Sequence, residues 1–153
     1  MKYYGPTKLG CFVHGDYRAS NILFKREGGK VKHLIPIDYQ GVHIGSPVTD
    51  LLYFIYAGTD EEFRRLHLKP LLTHYYSTFA KFLKYFNKDA ESTLSRSEFD
   101  KEYKNMLGFA LTTAMSLLPT VLAEGDELPN LENEGIAGFA IKPNKRFVKR
   151  FMP

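Results

Sequence analysis

His14-Gly15-Asp16-Tyr17-Arg18-Ala19-Ser20-Asn21, followed 17 residues later by Asp38 in Ile37-Asp38-Tyr39-Gln40, is the stretch around which the rest of the chain falls into place. The octapeptide is polar and sits between two short apolar runs, Gly10 to Val13 and Asn21 to Phe24. Apolar runs of that length read as strands, and a polar loop between strands exposes its side chains while its flanks hold them still. A third run, Val31-Lys32-His33-Leu34-Ile35-Pro36-Ile37, ends at Asp38. Between the second and third runs, Arg26-Glu27-Gly28-Gly29-Lys30 reads as a turn, because adjacent glycines supply the positive φ angles of a tight hairpin. Such a hairpin sets the start of one strand beside the end of the other. It therefore predicts Asn21 and Asp38 as neighbours, with Asp16 close by.

Three oxygen-bearing side chains converging at one end of a small sheet suit a hard cation, since Mg²⁺ takes carboxylate and amide oxygens together with substrate phosphates. A further acid beside that cation can accept a proton from an attacking hydroxyl. Phosphoryl transfer asks for this set: an Asp that orients the nucleophile, an Asn five residues later on the metal, and a separate Asp on the metal beyond a short hairpin. His-Gly-Asp with Asn five residues after the Asp arises by accident in a chain of this size on the order of once in a thousand times. His14 reads as a histidine that orients the loop, ahead of any direct part in chemistry. Asp50, before Leu51-Leu52, reads as a helix cap or as an acid bracing the His14 loop. Arg18 faces either a bound phosphate or solvent.

Beyond Pro47 helical periodicity takes over, so the chain is α+β and mainly helical, strands first and helices after. Val48, Leu51, Leu52, Phe54 and Ile55 are apolar almost all round and predict a central helix. Leu71, Leu72, Tyr75, Tyr76, Phe79, Phe82, Leu83 and Phe86 mark an amphipathic helix whose stripe reads as core, although Tyr75, Tyr76, Phe79, Phe109 and Met115 would also suit an apolar acceptor pocket. Ser95 and Glu98 have capping-box spacing ahead of a helical stretch from Phe99 to Val121, with Gly108 and Pro119 as points of interruption. Past Ala123 the periodicity fades. Residues 1–123 are thus expected to form one lobe and residues 124–153 a loop-rich tail.

Composition agrees with a single folded unit: 153 residues, 44% hydrophobic and 25% charged. The net charge of +4 is too mild to argue for nucleic acid. The charges are uneven, with seven bases against two acids in residues 1–32, five acids and no base in 124–134, and five bases and no acid in 142–153. The basic end, Lys142 to Arg150, reads as a solvated tail. A single Cys11 excludes an intramolecular disulfide, favours a reducing compartment and reads as a small buried hydrophobe. No run is long and apolar enough to span a membrane, so the expected location is cytoplasmic.

His14 to Asn21, Ile37-Asp38-Tyr39-Gln40 and Gly45-Ser46-Pro47-Val48-Thr49-Asp50-Leu51-Leu52-Tyr53 together resemble the carboxy-terminal lobe of the ecdysteroid-kinase-like proteins, also called CHK-kinase-like, of the choline kinase and aminoglycoside phosphotransferase superfamily. The resemblance spans roughly residues 9 to 123 and implies a protein-kinase-like C-terminal lobe with a small β-hairpin carrying the catalytic and metal residues. It implies Asp16 as catalytic base, Asn21 and Asp38 as Mg²⁺ ligands, and Asp50 as the acid that braces the loop. ATP would be the cofactor and a small-molecule alcohol, ecdysteroid-like or other, the acceptor of its γ-phosphate. The family usually carries Phe where Tyr39 stands, and it places a nucleotide-binding lobe before the catalytic loop, whereas 13 residues precede His14 here. The hairpin and the Gly10 to Val13 strand are accordingly expected to expose apolar surface that a missing lobe or a partner would cover. The alternative is a truncated, inactive lobe acting as a binding or interaction module.

Overall fold

The protein is described by a computed structural model, which covers Thr7 and residues 9–121, with side chains as far as residue 117. The expected tail at 124–153, with its acidic and basic blocks, and the expected boundary at residue 123 lie outside the described residues. The chain divides into two compact units, Met1–Leu111 and Thr112–Pro153. Among the described residues, the first contains every strand and all helices but the last, which crosses the division.

In order, the elements are β1 (Cys11–Val13), β2 (Ile22–Glu27), β3 (Lys30–Pro36), β4 (His43–Gly45), α1 (Val48–Gly58), α2 (Glu61–Lys84), α3 (Ala90–Thr93), α4 (Arg96–Asn105) and α5 (Leu107–Val121). The strands form two antiparallel ribbons, β1 with β4 and β2 with β3. The hairpin expected from the double glycine is present: Gly28 and Gly29 have φ of 57° and 75°, the sign a two-residue turn needs at both central positions. Its strands run closer to the turn than the apolar residues indicated, because Lys25, Arg26 and Glu27 still pair with His33, Val31 and Lys30. The register slips once, between Lys25 and Arg26. β4 was not anticipated; three residues are too few for a periodic signal, and only pairing with β1 makes them a strand.

α1 is the central helix. Val48 and Leu52 are wholly buried and Ile55 nearly so, and the core closes on the first two with Tyr76 from α2, Ala90, Leu94, Phe99 and Tyr103 from α3, α4 and their junction, and Ala110. α2 starts ten residues before the first apolar residue of its expected stripe. Asp60 caps it by accepting the Phe63 N–H at 2.7 Å, Glu61 and Glu62 fill the first turn, and Lys81 and Lys84 the last, complementing the helix dipole at both ends. Pro70 obscures this continuity in sequence, since an interior proline removes one helical hydrogen bond. Pro70 and Leu66, whose carbonyl loses that bond, are both at exposed positions. Phe82 and Phe86 depart from the core stripe and lie exposed, edge to face with each other at 5.2 Å. The Ser95–Glu98 capping box is present in full. The helical stretch after it breaks at Met106, just before Gly108, to give α4 and α5. No helix of the described residues is long and apolar enough to cross a membrane.

Glu102 of α4 ties the strands to this base by accepting hydrogen bonds from the hydroxyls of Thr7, just before β1, and Ser46, just after β4. Both ribbons nevertheless present bare apolar side chains. Phe12 is 80% exposed and its cross-strand partner Ile44 62%, while Leu23 and Ile35, paired on the hairpin, are 57% and 60% exposed. Phe24, Leu34 and Val31 are exposed as well. Leu23 and Phe24 are consecutive in one strand and so point to opposite faces, which leaves the hairpin apolar and uncovered on both.

Candidate functional site

The loop from His14 to Arg18 leaves β1, makes a single 3-10 turn at Ala19–Asn21 and enters β2. Its first residues are held by Asp50 in the first turn of α1. One carboxylate oxygen accepts the His14 N–H at 2.6 Å and the other accepts the Gly15 N–H at 3.0 Å. Of the two places the sequence left open for Asp50, the geometry is that of a brace rather than a cap. Gly15 has a φ of 82°, and a Cβ there would run into the Gly41 carbonyl. The bracing acid therefore acts on a peptide that only glycine accommodates without strain.

His14 is buried, and its ring bridges the two halves of the site. Nδ1 accepts a long hydrogen bond from the Asp16 N–H at 3.4 Å, so Nε2 carries the proton and donates to the Ile37 carbonyl at 2.9 Å. The ring also lies against Tyr17 and Tyr39, with centroids 5.4 and 4.8 Å away. Ile37 in turn donates its N–H to the Asn21 carbonyl at 2.9 Å, which sets the residue before Asp38 directly against Asn21. The hairpin thus places the backbones of Asn21 and Asp38 at its base. Asp38 itself has left-handed angles, φ 64° and ψ 62°, and is exposed. A non-glycine residue held there is uncommon, and it turns the chain sharply out of β3 into the next 3-10 turn.

Asn21 is buried and donates from Nδ2 to both the main-chain carbonyl and Oδ2 of Asp16, each at 2.9 Å. With the amide nitrogen so committed, the side-chain oxygen Oδ1 is what the Asn21 amide has to offer a cation. Asp16 receives a second donor on its other oxygen, the Tyr53 hydroxyl at 2.5 Å. Arg18 Nε lies 3.4 Å from Asp16 Oδ2, buried but without hydrogen-bonding geometry. Burial pushes the Tyr53 phenol far above its ordinary value; its hydrogen bond to Asp16 and that carboxylate's charge add to the rise, and Arg18 opposes it. Tyr53 stays protonated, and so remains a donor, at any physiological pH.

Tyr53 is a partner of Asp16 that the motif reading passed over. Its signal was available: Asp50 and Tyr53 are three apart and so share one face of α1. That face supplies both the acid that holds the loop backbone and the hydroxyl that holds the loop's carboxylate. The aromatic group Tyr75, Tyr76, Phe79 and Phe109 is core, with Tyr75 stacked on Phe99 at 5.6 Å and Tyr76 tilted against it at the same separation. Met115 belongs to the second unit. Cys11 is half-buried, and burial, then Asp50 and Glu102, raise its thiol above the ordinary value, so it is held as the unreactive thiol.

Among the described residues no group of three or more His, Cys, Asp or Glu side chains is placed to hold a metal ion. The Asn21 side-chain Oδ1 and the Asp38 carboxylate are hard oxygen donors of the kind Mg²⁺ accepts while keeping water and phosphate oxygens in its shell. The donor chemistry fits that ion.

A helical base carrying a short antiparallel hairpin, with an Asp/Asn loop entering it and an Asp leaving it, is compatible with a kinase-like lobe. The chain belongs to the ecdysteroid kinase-like family, whose model it matches over residues 3–88, more than half its length. It is also similar to an uncharacterized kinase-like protein of Caenorhabditis elegans, 29% identical over 111 residues. That match takes in 71% of this chain and spans 27% of the relative's length. No solved structure matches the chain at a significant level.

Proposed function

We propose that this chain is the catalytic-loop lobe of an ATP-dependent phosphotransferase that moves the γ-phosphate to the hydroxyl of a small-molecule alcohol. The acceptor oxygen attacks the γ-phosphorus, its proton passes to Asp16, and ADP leaves. Asp16 serves as the base because its carboxylate is fixed from two rigid directions, by Asn21 at the start of the hairpin and Tyr53 on α1. Asn21 and Asp38 would hold Mg²⁺, which supplies charge neutralisation on the phosphate oxygens. Asp50 and His14 orient the loop from behind. Arg18, beside Asp16 and partly exposed, would be the side chain to meet a phosphate oxygen. The single observation that carries this reading is the chain of contacts from Asp16 through Asn21 and Ile37 to Asp38, because it brings two carboxylates and a side-chain amide, the residue types the reaction asks for, to one hairpin base.

The bare ribbons belong to the same proposal. Apolar residues on both faces of a two-stranded hairpin call for a cover, and in a longer polypeptide the nucleotide-binding lobe that precedes the catalytic loop would provide it. A binding or interaction module without turnover is the alternative. Titration of Mg²⁺ and ATP into the chain by calorimetry, with phosphate release to an alcohol followed in parallel, separates the two. Binding that is lost in both Asn21→Ala and Asp38→Ala supports the proposed ligands. Turnover undiminished in Asp16→Ala removes Asp16 from the mechanism, and binding without turnover favours the alternative.

A further inference from the structure

We infer that Tyr53 is a positioning residue for Asp16: its hydroxyl, presented by the same face of α1 that braces the loop, fixes the rotamer of the carboxylate that takes the acceptor's proton. The inference rests on the proposed role of Asp16 and names a residue outside the motif itself. Tyr53 is 7% exposed, so its ring is packed and its hydroxyl cannot wander. The hydroxyl meets Asp16 Oδ1 at 2.5 Å, while Asn21 Nδ2 meets Oδ2 at 2.9 Å. One donor on each oxygen leaves the carboxylate a single orientation, whereas one donor alone would allow the plane to turn about the Cβ–Cγ bond. The two donors also stand on different supports, α1 and the base of the hairpin. Asp16 is consequently aimed by the helix and the hairpin jointly, while its side chain keeps 24% of its surface exposed for an incoming hydroxyl to reach.

The removal of one phenolic oxygen tests this, because Tyr53→Phe keeps the ring and its packing. In ¹⁵N-labelled full chain, the side-chain amide signals of Asn21 should shift and exchange faster in Tyr53→Phe. The backbone amides of His14 and Gly15, held by Asp50, should stay in place and report that the fold is intact. A role confined to packing would leave the Asn21 amide unmoved. In a turnover assay the same variant should lose about tenfold or more in kcat with the KM for ATP unchanged, since positioning of a general base is felt in the transition state. Unmoved Asn21 signals overturn the inference whatever the turnover. Undiminished turnover in Asp16→Ala overturns the proposed role of Asp16 as base instead and leaves the Tyr53–Asp16 contact standing. Should Tyr53→Phe fail to fold, Asp16→Asn provides the reciprocal measurement: the ring ¹³Cζ signal of Tyr53 should move at neutral pH as the hydroxyl loses its charged acceptor, and an unmoved signal overturns the contact.

Discussion

Replacing Asp50 by Ala removes the acceptor of two loop N–H groups at once. Hydrogen bonds to a charged partner contribute roughly 1.5–3 kcal/mol each, so the pair at 2.6 and 3.0 Å is worth roughly 3–6 kcal/mol. Loss of the carboxylate from the first turn of α1 adds about 0.3–1 kcal/mol through the helix dipole. Asp50 is partly exposed, which lets water reach the abandoned N–H groups and moves the expectation to the lower end, about 3 kcal/mol. Against the roughly 5–15 kcal/mol of an ordinary domain, that is a large fraction of the total. Asp50→Asn keeps one accepting oxygen and turns an N–H₂ toward the other donor, so it should lose about half as much. Urea unfolding followed by circular dichroism measures both, and hydrogen exchange at the His14 and Gly15 amides locates the effect. A loss below about 1 kcal/mol in Asp50→Ala, or unchanged exchange at those two amides, would refute the bracing role.

Gly15→Ala should cost at least about 2 kcal/mol, since it combines a positive φ with a collision against the Gly41 carbonyl, and denaturant unfolding reads it directly. At high pH, stability should fall with tyrosine ionisation. Burial, then the charges of Cys11 and Asp50, push the Tyr75 phenol up to about 12, and burial likewise raises Tyr53, Tyr76 and Tyr103. A phenol that binds its proton more tightly when folded gives stability that is complete below its unfolded value of about 10 and is lost as the pH rises toward the folded value. Tyrosinate absorbance and ellipticity should therefore change together between about pH 10 and 12; titration of these phenols with the helix signal intact would contradict their burial. Phe12→Ser should change unfolding free energy by less than about 0.5 kcal/mol while reducing self-association in sedimentation, because the side chain is largely in solvent.

What sequence revealed and what it hid divide along the range of the contacts. The hairpin was legible because two glycines and two apolar runs fall within 16 residues of one another, and the Ser95–Glu98 box because both partners lie in one turn. The neighbourhood of Asn21 and Asp38 followed from the hairpin and is present as the Ile37–Asn21 hydrogen bond. The β1–β4 pairing was hidden, since Cys11–Val13 and His43–Gly45 carry no mutual signal and meet only when the fold brings them together. The first half of α2 was hidden by Pro70, which weighs against a helix locally and is carried by the packing on either side of it. Tyr53 sat inside a recognisable segment, but its partner is 37 residues away, and a tyrosine in an apolar helix reads first as core.

The two-sided bareness of the β2–β3 hairpin also bears on the rigidity of the site. A ribbon of two strands with no cover is marginal in water, so its ladder should open locally at a free energy well below that of the helical core. Asn21 and Asp38 stand at its two feet, one fixed to Asp16 and the other in a left-handed turn. Under the proposed function, a body that covered the ribbon would restrain those feet, and an ion held between them would restrain the ribbon. The two events then share one ordering entropy, and each should strengthen the other by the same factor even where they never touch.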